Sequence, residues 1–443
     1  MTVSASKTVC TDSGYVHIES MNHDGRGVTH IDGKAVFIED ALPDETVLLE
    51  YQRRHRKYDE ARVKTLVEPS PDRITPECPH FGVCGGCSLQ HMEATAQLRS
   101  KQQVLLDNLR HIGKLEPATI LTQLMGPQWG YRRKARIGVK YVDKKHSVLI
   151  GFREKRSSYI ADLNECRILH PSVGERLISL RDLIAGLKAY RKIPQIEIAV
   201  GDNAAALVFR HLVPLEDVDL EKLCEFGRLN DLQIYLQPAG PDSVTLLWPE
   251  AATLSYSLPR HDIRIFFQPT GFVQINSDIN HKMIDQALSM LDPGPQDRVL
   301  DLFCGLGNFS LPIARKAATV VGVEGDAGLI QQACSNARYN QINNIEFITA
   351  DLTRPITDDA LMRQYDKILL DPPRTGAKEI IPQITSLGAT RIVYVSCNPA
   401  TLARDAGELV HIHGYSLTQA GVMDMFPHTT HVETIALFER DVE

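Results

Sequence analysis

The sequence predicts a multidomain protein in which a doubly wound α/β domain follows a small β-barrel and an α+β region. A chain of 443 residues is longer than one ordinary hydrophobic core accommodates, so two or three domains of about 100–200 residues each are expected. From about residue 272 onward, apolar strands alternate with helical segments. Residues 12–67 consist instead of short strands separated by Gly, Asp, Asn and Pro. These observations divide the chain before any motif is considered.

The C-terminal alternation predicts a parallel sheet with helices on both faces. RVLDLFCG is an apolar strand followed by the helical segment FSLPIARKA, and TVVGVEGD with GLIQQACSNARYNQ repeats the pattern. NIEFITAD, YDKILLDPP and RIVYVSCNP are further strands. Such a sheet is typical of doubly wound folds, and their ligands bind at the carboxyl ends of the strands. The residues that follow each strand are therefore the first candidates for chemistry.

The N-terminal strands are spaced as in small closed barrels of the OB-like kind, which bind oligonucleotides. The Pro-rich stretch 68–79 is interpreted as a linker, and the periodicity of residues 90–111 predicts a helix that can pack on the C-terminal domain. Residues 126–265 mix strands and helices, which predicts an α+β domain. The expected domains are residues 1–68, 75–265 and 266–443.

Charge is distributed as in a protein that recognises chosen sites on RNA. The net charge is −7, yet residues 131–156 carry ten Lys and Arg against two acids, and Arg53, Arg54, Arg56 and Lys57 form a second basic run. Local positive stripes on an acidic protein suit a selected RNA site, although a solvated charged face is the alternative. The sequence contains no apolar run of about 18 residues, so no membrane span is predicted. No secretory signal is recognised, so we expect a cytoplasmic protein, and a monomer because nothing demands an oligomer.

A glycine turn after the first C-terminal strand is the candidate cofactor site. Gly305 and Gly307 in DLFCGLGN let the backbone approach a ligand closely where a strand passes into a helix. Glu324 ends the next strand, where an acid can accept hydrogen bonds from ribose hydroxyls, and Asp351 ends the third, within reach of an adenine amino group. A dinucleotide is the competing interpretation, but the third glycine of its fingerprint is missing. DLFCGLGNF instead resembles the first motif of S-adenosylmethionine methyltransferases.

Cys397, at the end of the apolar strand RIVYVS, is the candidate nucleophile. Addition of its thiolate to carbon 6 of a pyrimidine makes carbon 5 able to attack a sulfonium methyl group. A lone cysteine is more often buried and inert, which is the fate expected for Cys304 and Cys334. The strand-end position and the following Asn-Pro distinguish Cys397 from them.

A general base must then remove the proton from carbon 5. Glu433, which opens the last apolar strand, is the first choice, on the condition that burial makes its carboxylate basic enough. His428 and His431 are the alternatives, because histidine titrates nearer neutral pH. Asp371, in the DPPR segment that ends the fourth strand, is expected to contact the cofactor or the pyrimidine edge, with Arg374 close by.

Three of the nine cysteines lie within ten residues, which indicates a metal site. They are Cys78, Cys84 and Cys87, with Cys166 as the expected fourth ligand. Grouped thiolates suit zinc or an iron–sulfur cluster, and the spacing alone does not separate the two. An odd cysteine count without a signal peptide argues against a disulfide framework. Radical chemistry typically uses Cys-x3-Cys-x2-Cys, which is absent, so the site is interpreted as structural or RNA-positioning.

The strings DLFCGLGNF, DPPR, VSCNPATLARD and MFPHTTHVET together resemble the RNA uracil 5-methyltransferase family over nearly the whole chain, and most of all its members that act on 23S rRNA. The resemblance implies Cys397 as nucleophile toward a flipped-out uracil and Glu433 as base. It implies a four-iron, four-sulfur cluster on the four cysteines and an N-terminal TRAM domain, an RNA-binding barrel. Arg132 and Arg136, expected on one face of a strand, resemble phosphate-contacting positions. The residues for which it implies S-adenosylmethionine contacts are Gln274, Phe303, Asn308, Glu324, Asp351 and Asp371.

Several alternatives stay open. The target could be a uracil of tRNA or of another rRNA site. A methyltransferase for exocyclic amines usually has an aromatic residue after Asp-Pro-Pro, where this chain has Arg374, and it would leave Cys397 without a role. A cytosine target would share the thiolate, and a non-enzymatic RNA-binding protein would bind no cofactor. Phe266 and Phe267 are candidates to stack on the base, although core packing is favoured for both.

Overall fold

The computed structural model describes residues 14–355 and 361–440. They form a six-stranded N-terminal sheet, a six-stranded central sheet, a two-stranded hairpin and an eight-stranded C-terminal sheet. Cys10 and the first residues of the predicted barrel lie outside the described ranges. Within these ranges, no helix has the length and apolar character needed to cross a membrane.

The N-terminal sheet curls into a small ring. Its strands are β1 (Tyr15–His17), β2 (Ser20–Met21), β3 (Gly27–Ile31), β4 (Lys34–Glu39), β5 (Thr46–Arg54) and β6 (Tyr58–Glu68). The order is β1-β5-β6-β4-β3-β2. β1 and β2 are halves of one bent strand, because the Ile18 N–H donates to Glu45 O and the next N–H, of Glu19, donates to Val28 O. The bend joins the first and last strands around a core that includes the buried Ile18 and Ile38.

Helix α1 (Ala94–Asn108) packs on the C-terminal domain and continues as a π-helical turn, Leu109–Gly113. It begins after residue 93, later than periodicity indicated, because the Glu93 carboxylate accepts the first free N–H groups. Its side chains Leu98 and Leu105 belong to the C-terminal core. The next strand, β7 (Thr119–Ile120), pairs with the edge of the C-terminal sheet.

The central sheet has the order β13-β12-β11-β10-β8-β9. Its strands are β8 (Lys134–Val142), β9 (Ser147–Gly151), β10 (Gln195–Val200), β11 (Ala205–Arg210), β12 (Leu232–Gln237) and β13 (Thr245–Trp248). The helices of this region are α2 (Pro171–Gly174), α3 (Leu177–Ala185) and α4 (Asp217–Asn230). All pairs are antiparallel except β11 with β12.

A hairpin of β14 (Leu254–Leu258) and β15 (Ile263–Phe267) links the central and C-terminal regions. Its buried side chains share one core with the C-terminal domain. The expected boundary between residues 265 and 266 falls inside β15, since the alternating pattern of a hairpin does not reveal which core it joins. Phe267 is buried in this core, as favoured from sequence, whereas Phe266 is half-buried and packs edge-on against Tyr339.

The C-terminal domain is a doubly wound α/β fold, which confirms the predicted class. Its strands are β16 (Arg298–Leu302), β17 (Thr319–Glu324), β18 (Ile345–Thr349), β19 (Lys367–Leu370), β20 (Arg391–Ser396), β21 (Ser416–Met423) and β22 (Glu433–Glu439). Its helices are α5 (Ser277–Leu291), α6 (Ser310–Ala314), α7 (Ala327–Tyr339), α8 (Ile381–Ile384) and α9 (Pro399–His411).

The order of this sheet is β18-β17-β16-β19-β20-β22-β21-β7. β16 to β20 run parallel, and β22 runs antiparallel to both of its neighbours. The chain order reverses between β16 and β19, which creates a crevice at their carboxyl ends. The glycine loop and the acids Glu324, Asp351 and Asp371 lie at or just after the ends of strands at this edge.

Candidate active site

The loop after β16 is held in a conformation that opens its backbone toward the crevice. Phe303, Gly305 and Gly307 have φ of 67°, 53° and 89°. A left-handed phenylalanine costs about 1–3 kcal/mol and persists only where its surroundings hold it. Here the N–H groups of Phe303 and Cys304 donate to the carbonyl of Val323, at 2.9 and 3.0 Å. A side chain at Gly305 would meet open space, so this backbone is accessible to a ligand.

Glu324 and Asp351 lie at neighbouring strand ends beside this loop. The Glu324 carboxylate accepts hydrogen bonds from the N–H groups of Gly305 (3.2 Å) and Gly325 (2.7 Å). The N–H of Ala350 donates to Glu324 O at 3.0 Å, which joins the ends of β17 and β18. Asp351 is exposed and accepts from the N–H and hydroxyl of Thr353. The structure thus brings both predicted acids to one edge.

Asn308 is fixed by its own hydrogen bonds, and Gln274 lies in the segment before α5. The Asn308 amide is held by two hydrogen bonds with Asn280, at 2.9 and 3.1 Å, and accepts a third from the Tyr256 hydroxyl at 2.9 Å. Its side chain therefore ties the glycine loop to α5 and the hairpin. Gln274 is half-buried in the segment between β15 and α5, where the Lys134 ammonium donates to Pro269 O.

Two carboxylates lie at the ends of β16 and β19, where Asp301 is buried and Asp371 is half-buried. Asp301 is fully buried, and burial, with Asp371 and Glu324 nearby, raises its pKa to about 8 although the Ser310 hydroxyl donates to it. Asp371 follows β19, where burial and the charge of Glu324 raise its pKa to about 7. Asp301 was not selected as a site residue from sequence, although its place before the glycine turn was an available signal.

Cys397 and Glu433 meet across two antiparallel strands. The last pair of β20 with β22 is Ser396 with Thr434, and the same register continued by one residue sets Cys397 opposite Glu433, which lies close enough to raise the pKa of Cys397. Cys397 is half-buried, whereas Glu433 is 4% exposed. Burial and Asp371 raise the pKa of Glu433 well above its ordinary value, and burial and Glu433 raise that of Cys397. A buried carboxylate of this kind has the basicity that the sequence argument required.

Arg374 and the start of α9 supply positive potential beside Cys397. Arg374 lowers the pKa of Cys397, against the larger effect of burial. Asn398 caps α9 by accepting the Ala400 N–H at 3.1 Å, and its amide donates to Arg374 O at 2.9 Å. The loops after β19 and β20 are thereby joined. A cation and a helix N-terminus both favour a thiolate.

The two histidine candidates occupy other positions. His428 is buried with its ring 4.2 Å from that of Trp129, and burial lowers its pKa to about 4. Its carbonyl accepts the N–H groups of Ser88 and Leu89, so it contacts the cysteine-rich segment. His431 is exposed beside Phe426. Among the three base candidates, Glu433 is the one opposite Cys397.

The four predicted ligand cysteines converge. They line one small cavity of about 20 Å³, made by Cys78, Cys84, Cys87 and Cys166. The Gly86 N–H donates to the Cys84 sulfur at 3.4 Å. No group of three or more His, Cys, Asp or Glu in the described parts of the chain is arranged to hold a single metal ion.

The basic residues predicted to share a strand face do not do so. β8 begins at Lys134, and Arg132 precedes it, because the Arg132 N–H and carbonyl bond to Ile168 and His170. Arg132 is half-buried with its guanidinium 5.8 Å from the Phe152 ring. Arg136 is exposed and bonds to Glu197 at 3.2 Å.

Comparison with known proteins agrees with this geometry. Residues 252–441 match the family model described as tRNA (Uracil-5-)-methyltransferase. The chain is 54% identical over 426 residues to 23S rRNA (uracil(1939)-C(5))-methyltransferase RlmD of Nitrosococcus oceani, covering 96% of this chain and 95% of that protein. It is 52% identical over 430 residues to the RlmD of Hahella chejuensis, covering 96% of each.

A solved structure has the same fold. Pyrococcus abyssi tRNA (uracil-54, C5)-methyltransferase in complex with S-adenosyl-L-homocysteine superposes with a TM-score of 0.74 over 96% of this chain and 100% of that chain, at 23% identity. The likeness in sequence to the RlmD proteins spans nearly the full length of both partners. This chain belongs to the RlmD family of RNA uracil-C5 methyltransferases.

Proposed function

We propose that this protein transfers the methyl group of S-adenosylmethionine to carbon 5 of a uracil in 23S rRNA. The relatives that support this target carry it in their names. The single observation that carries the chemistry is the rung that sets Cys397 opposite Glu433, beside an open glycine loop. A nucleophile and a base on facing strands can act on two adjacent atoms of one flat ring.

Cys397 performs the first step as a thiolate. Its sulfur forms a bond to carbon 6, and the electrons of the carbon 5–carbon 6 double bond move toward carbon 5 and the carbon 4 carbonyl. S-adenosylmethionine supplies an electrophilic methyl group on a positively charged sulfur. Carbon 5 bonds to that methyl carbon while the carbon–sulfur bond of the donor breaks. Arg374 favours the thiolate at the start.

Glu433 performs the second step. Its carboxylate removes the proton from carbon 5, the carbon 5–carbon 6 double bond re-forms, and the Cys397 sulfur leaves. Burial keeps water away from this carboxylate and makes it a stronger base.

The residues around the crevice are proposed to bind the methyl donor. Glu324 would accept hydrogen bonds from the ribose, Asp351 from the adenine amino group, and Phe303 and Gln274 would border the ligand. Asn308 would act partly by holding the glycine loop, given its bonds to Asn280. Glu324 raises the pKa of Asp371, and Asp371 raises that of Glu433, so Asp371 lies near both and suits contact with the donor or the uracil edge.

The four converging cysteines are proposed to hold a four-iron, four-sulfur cluster. Their thiols share one cavity, and a backbone N–H already points at the Cys84 sulfur, as expected for thiolate ligands. The choice of a cluster over zinc rests on the resemblance to the uracil 5-methyltransferase family, because grouped thiolates suit either. The cluster would join Cys166 to the segment of residues 78–87 and stiffen the central domain.

RNA is proposed to bind across the N-terminal ring, which corresponds to a TRAM domain, and the basic residues near Arg132. The target base must leave its stack, because carbons 5 and 6 are covered in a helix. Arg374 and Arg132 both lie close enough to His431 to lower its pKa, and Arg374 also lies near Cys397, so positive charge is present on this side of the site. Phosphates of the strand that carries the flipped base would be attracted there.

Mass-spectrometric mapping of RNA from cells without this protein tests the target. The expected result is one uracil of 23S rRNA that loses its methyl group and regains it with the wild-type gene. The family model and the solved structure carry tRNA in their names, so loss of 5-methyluridine from tRNA alone is the second candidate result. No change in any RNA would reject the proposal.

A further inference from the structure

Helix α1 buries two polar side chains on a face that is otherwise apolar. Gln97 and Lys101 are 0% and 2% exposed, whereas the other buried residues of the helix are Ala96, Leu98 and Leu105. Positions four apart lie on the same side of a helix. Burying a lysine costs several kcal/mol unless its charge is compensated. A helix needed only for docking would have apolar side chains there.

Lys101 binds the segment that leads from β21 to the base. Its ammonium donates to the Asp424 carboxylate at 2.8 Å and to the carbonyl of Phe426 at 3.0 Å. Asp424 is itself fully buried, and its second oxygen accepts from the Gln128 amide at 3.3 Å. The Asp424 N–H also donates to Leu124 O at 2.9 Å. The opposite charges of Lys101 and Asp424 therefore compensate each other, and further hydrogen bonds hold both side chains in place.

Gln97 binds the middle of the same segment. Its amide oxygen accepts the His428 N–H at 2.9 Å, and its amide nitrogen lies 3.4 Å from the His428 ring. The same nitrogen donates to the carbonyls of Leu89 (3.0 Å) and Met92 (2.8 Å). One buried side chain thus joins His428 to the end of the cysteine-rich segment.

These contacts converge on residues 424–432, which we call the base loop because it connects β21 directly to Glu433. Met423 pairs with Glu433, and Asp424, the first residue of the loop, directly follows Met423. The Tyr131 hydroxyl adds a bond to Pro427 O at 3.0 Å. Cys397, in contrast, follows β20 and is not on this loop.

We propose that Gln97 and Lys101 are positioning residues that hold the base loop so that Glu433 reaches the carbon 5 proton of the methylated adduct. The inference rests on the proposed function. Only the second step needs Glu433, whereas Cys397 and the donor complete the first. A loosened base loop should therefore leave the methylated RNA joined to Cys397, while a general loss of structure would slow both steps together.

The test compares the full-length wild type with Gln97→Met, with the double variant Lys101→Met/Asp424→Asn and with the control Gln103→Met. The double variant removes both charges, so neither is left buried alone. Gln103 is exposed on the same helix and bonds to Asp107. Each protein receives an unmodified 23S rRNA transcript and S-adenosylmethionine with a labelled methyl group. Denaturing gels then separate free methylated RNA from RNA bound to protein.

The expected result is product release slowed about 10²-fold, the typical effect of a displaced catalytic group, with labelled methyl accumulating in a protein–RNA adduct. The first methyl transfer stays close to the wild-type rate, and Gln103→Met shows no adduct. If the double variant does not unfold cooperatively, it is not a folded protein, and the result for Gln97→Met decides the test.

Variants that release product at the wild-type rate, or that lose both steps equally without an adduct, would overturn this inference alone. A wild type that methylates no uracil would overturn the proposed function, and this inference with it.

Discussion

Replacement of Glu433 by glutamine removes the proposed base while keeping the size and burial of the side chain. A positioned general base contributes about 10²–10⁴ in rate, which is about 3–5 kcal/mol of barrier. Glu433 is 4% exposed, so bulk water has little access to replace it. We therefore expect a loss toward the upper part of this range, about 10³-fold or more in turnover.

The structure also predicts that Glu433→Gln does not destabilise the protein near neutral pH. The pKa of Glu433 is raised by burial and by Asp371. A raised carboxyl pKa stabilises the folded state only at low pH, and that contribution is lost as pH rises from the unfolded value through the folded one. Glutamine cannot ionise, so the thermal midpoint at neutral pH should equal or exceed that of the wild type. A lower activity then cannot be assigned to unfolding.

Two labels separate the steps of the reaction. Tritium at carbon 5 of uracil is released only when the proton is removed, whereas a labelled methyl group reports the first step. In Glu433→Gln, tritium release should fall while labelled methyl stays in an adduct that survives denaturation. Glu439→Gln is the control, because it makes the same change at the far end of β22, where Glu439 pairs with Arg391. Tritium release within roughly threefold of wild type, without an adduct, would refute Glu433 as the base, since a positioned base contributes more than that.

Three further predictions address other parts of the site. Cys397→Ala should abolish methyl transfer, and RNA with 5-fluorouracil at the target should become irreversibly bound to the wild type but not to this variant; retained activity would exclude covalent addition. The raised pKa of Asp301, about 8, makes the wild type lose stability as the pH rises from 6 to 8, whereas an asparagine does not titrate. The unfolding free energy of Asp301→Asn minus that of the wild type should therefore be about 2 kcal/mol larger at pH 8 than at pH 6. Denaturant titrations without ligand measure this difference, and the same value at both pH values would contradict the prediction. Cys166→Ser should lose iron, sulfide and the absorption near 400 nm of the protein purified without oxygen, whereas stoichiometric zinc in the wild type would contradict a cluster.

The motifs of the site were predictable from sequence because each is a continuous segment. DLFCGLGN, DPPR and SCNP each join the end of an apolar strand to a turn. Since parallel strands place their carboxyl ends at one edge, the approximate meeting of Gly305, Asp371 and Cys397 followed from the alternation of strands and helices. The convergence of Cys166 with the cysteine-rich segment also followed, from thiol chemistry and family likeness.

The ends of helices and strands, and the segments that pack against them, were less predictable from sequence. The start of α1 depends on the Glu93 cap, and Arg132 left the expected strand because its backbone bonds elsewhere. The hairpin of β14 and β15 has an ordinary alternating pattern, which does not say which core covers it. The burial of Gln97 and Lys101 has no signal in the sequence, since polar residues on a helix are usually solvated.

The sequence by itself determined the class of the C-terminal fold, the glycine loop and the family, and it predicted Cys397 as the nucleophile, because these depend on local periodicity and on residue types at short spacing. Only the tertiary structure decided that Glu433 lies opposite Cys397, 36 residues earlier in the chain, and that α1 holds the base loop. Register across antiparallel strands, and the burial of a lysine beside an aspartate, arise from the packing of segments that are distant in sequence. Local patterns therefore indicate which side chains can react, and packing decides which of them meet.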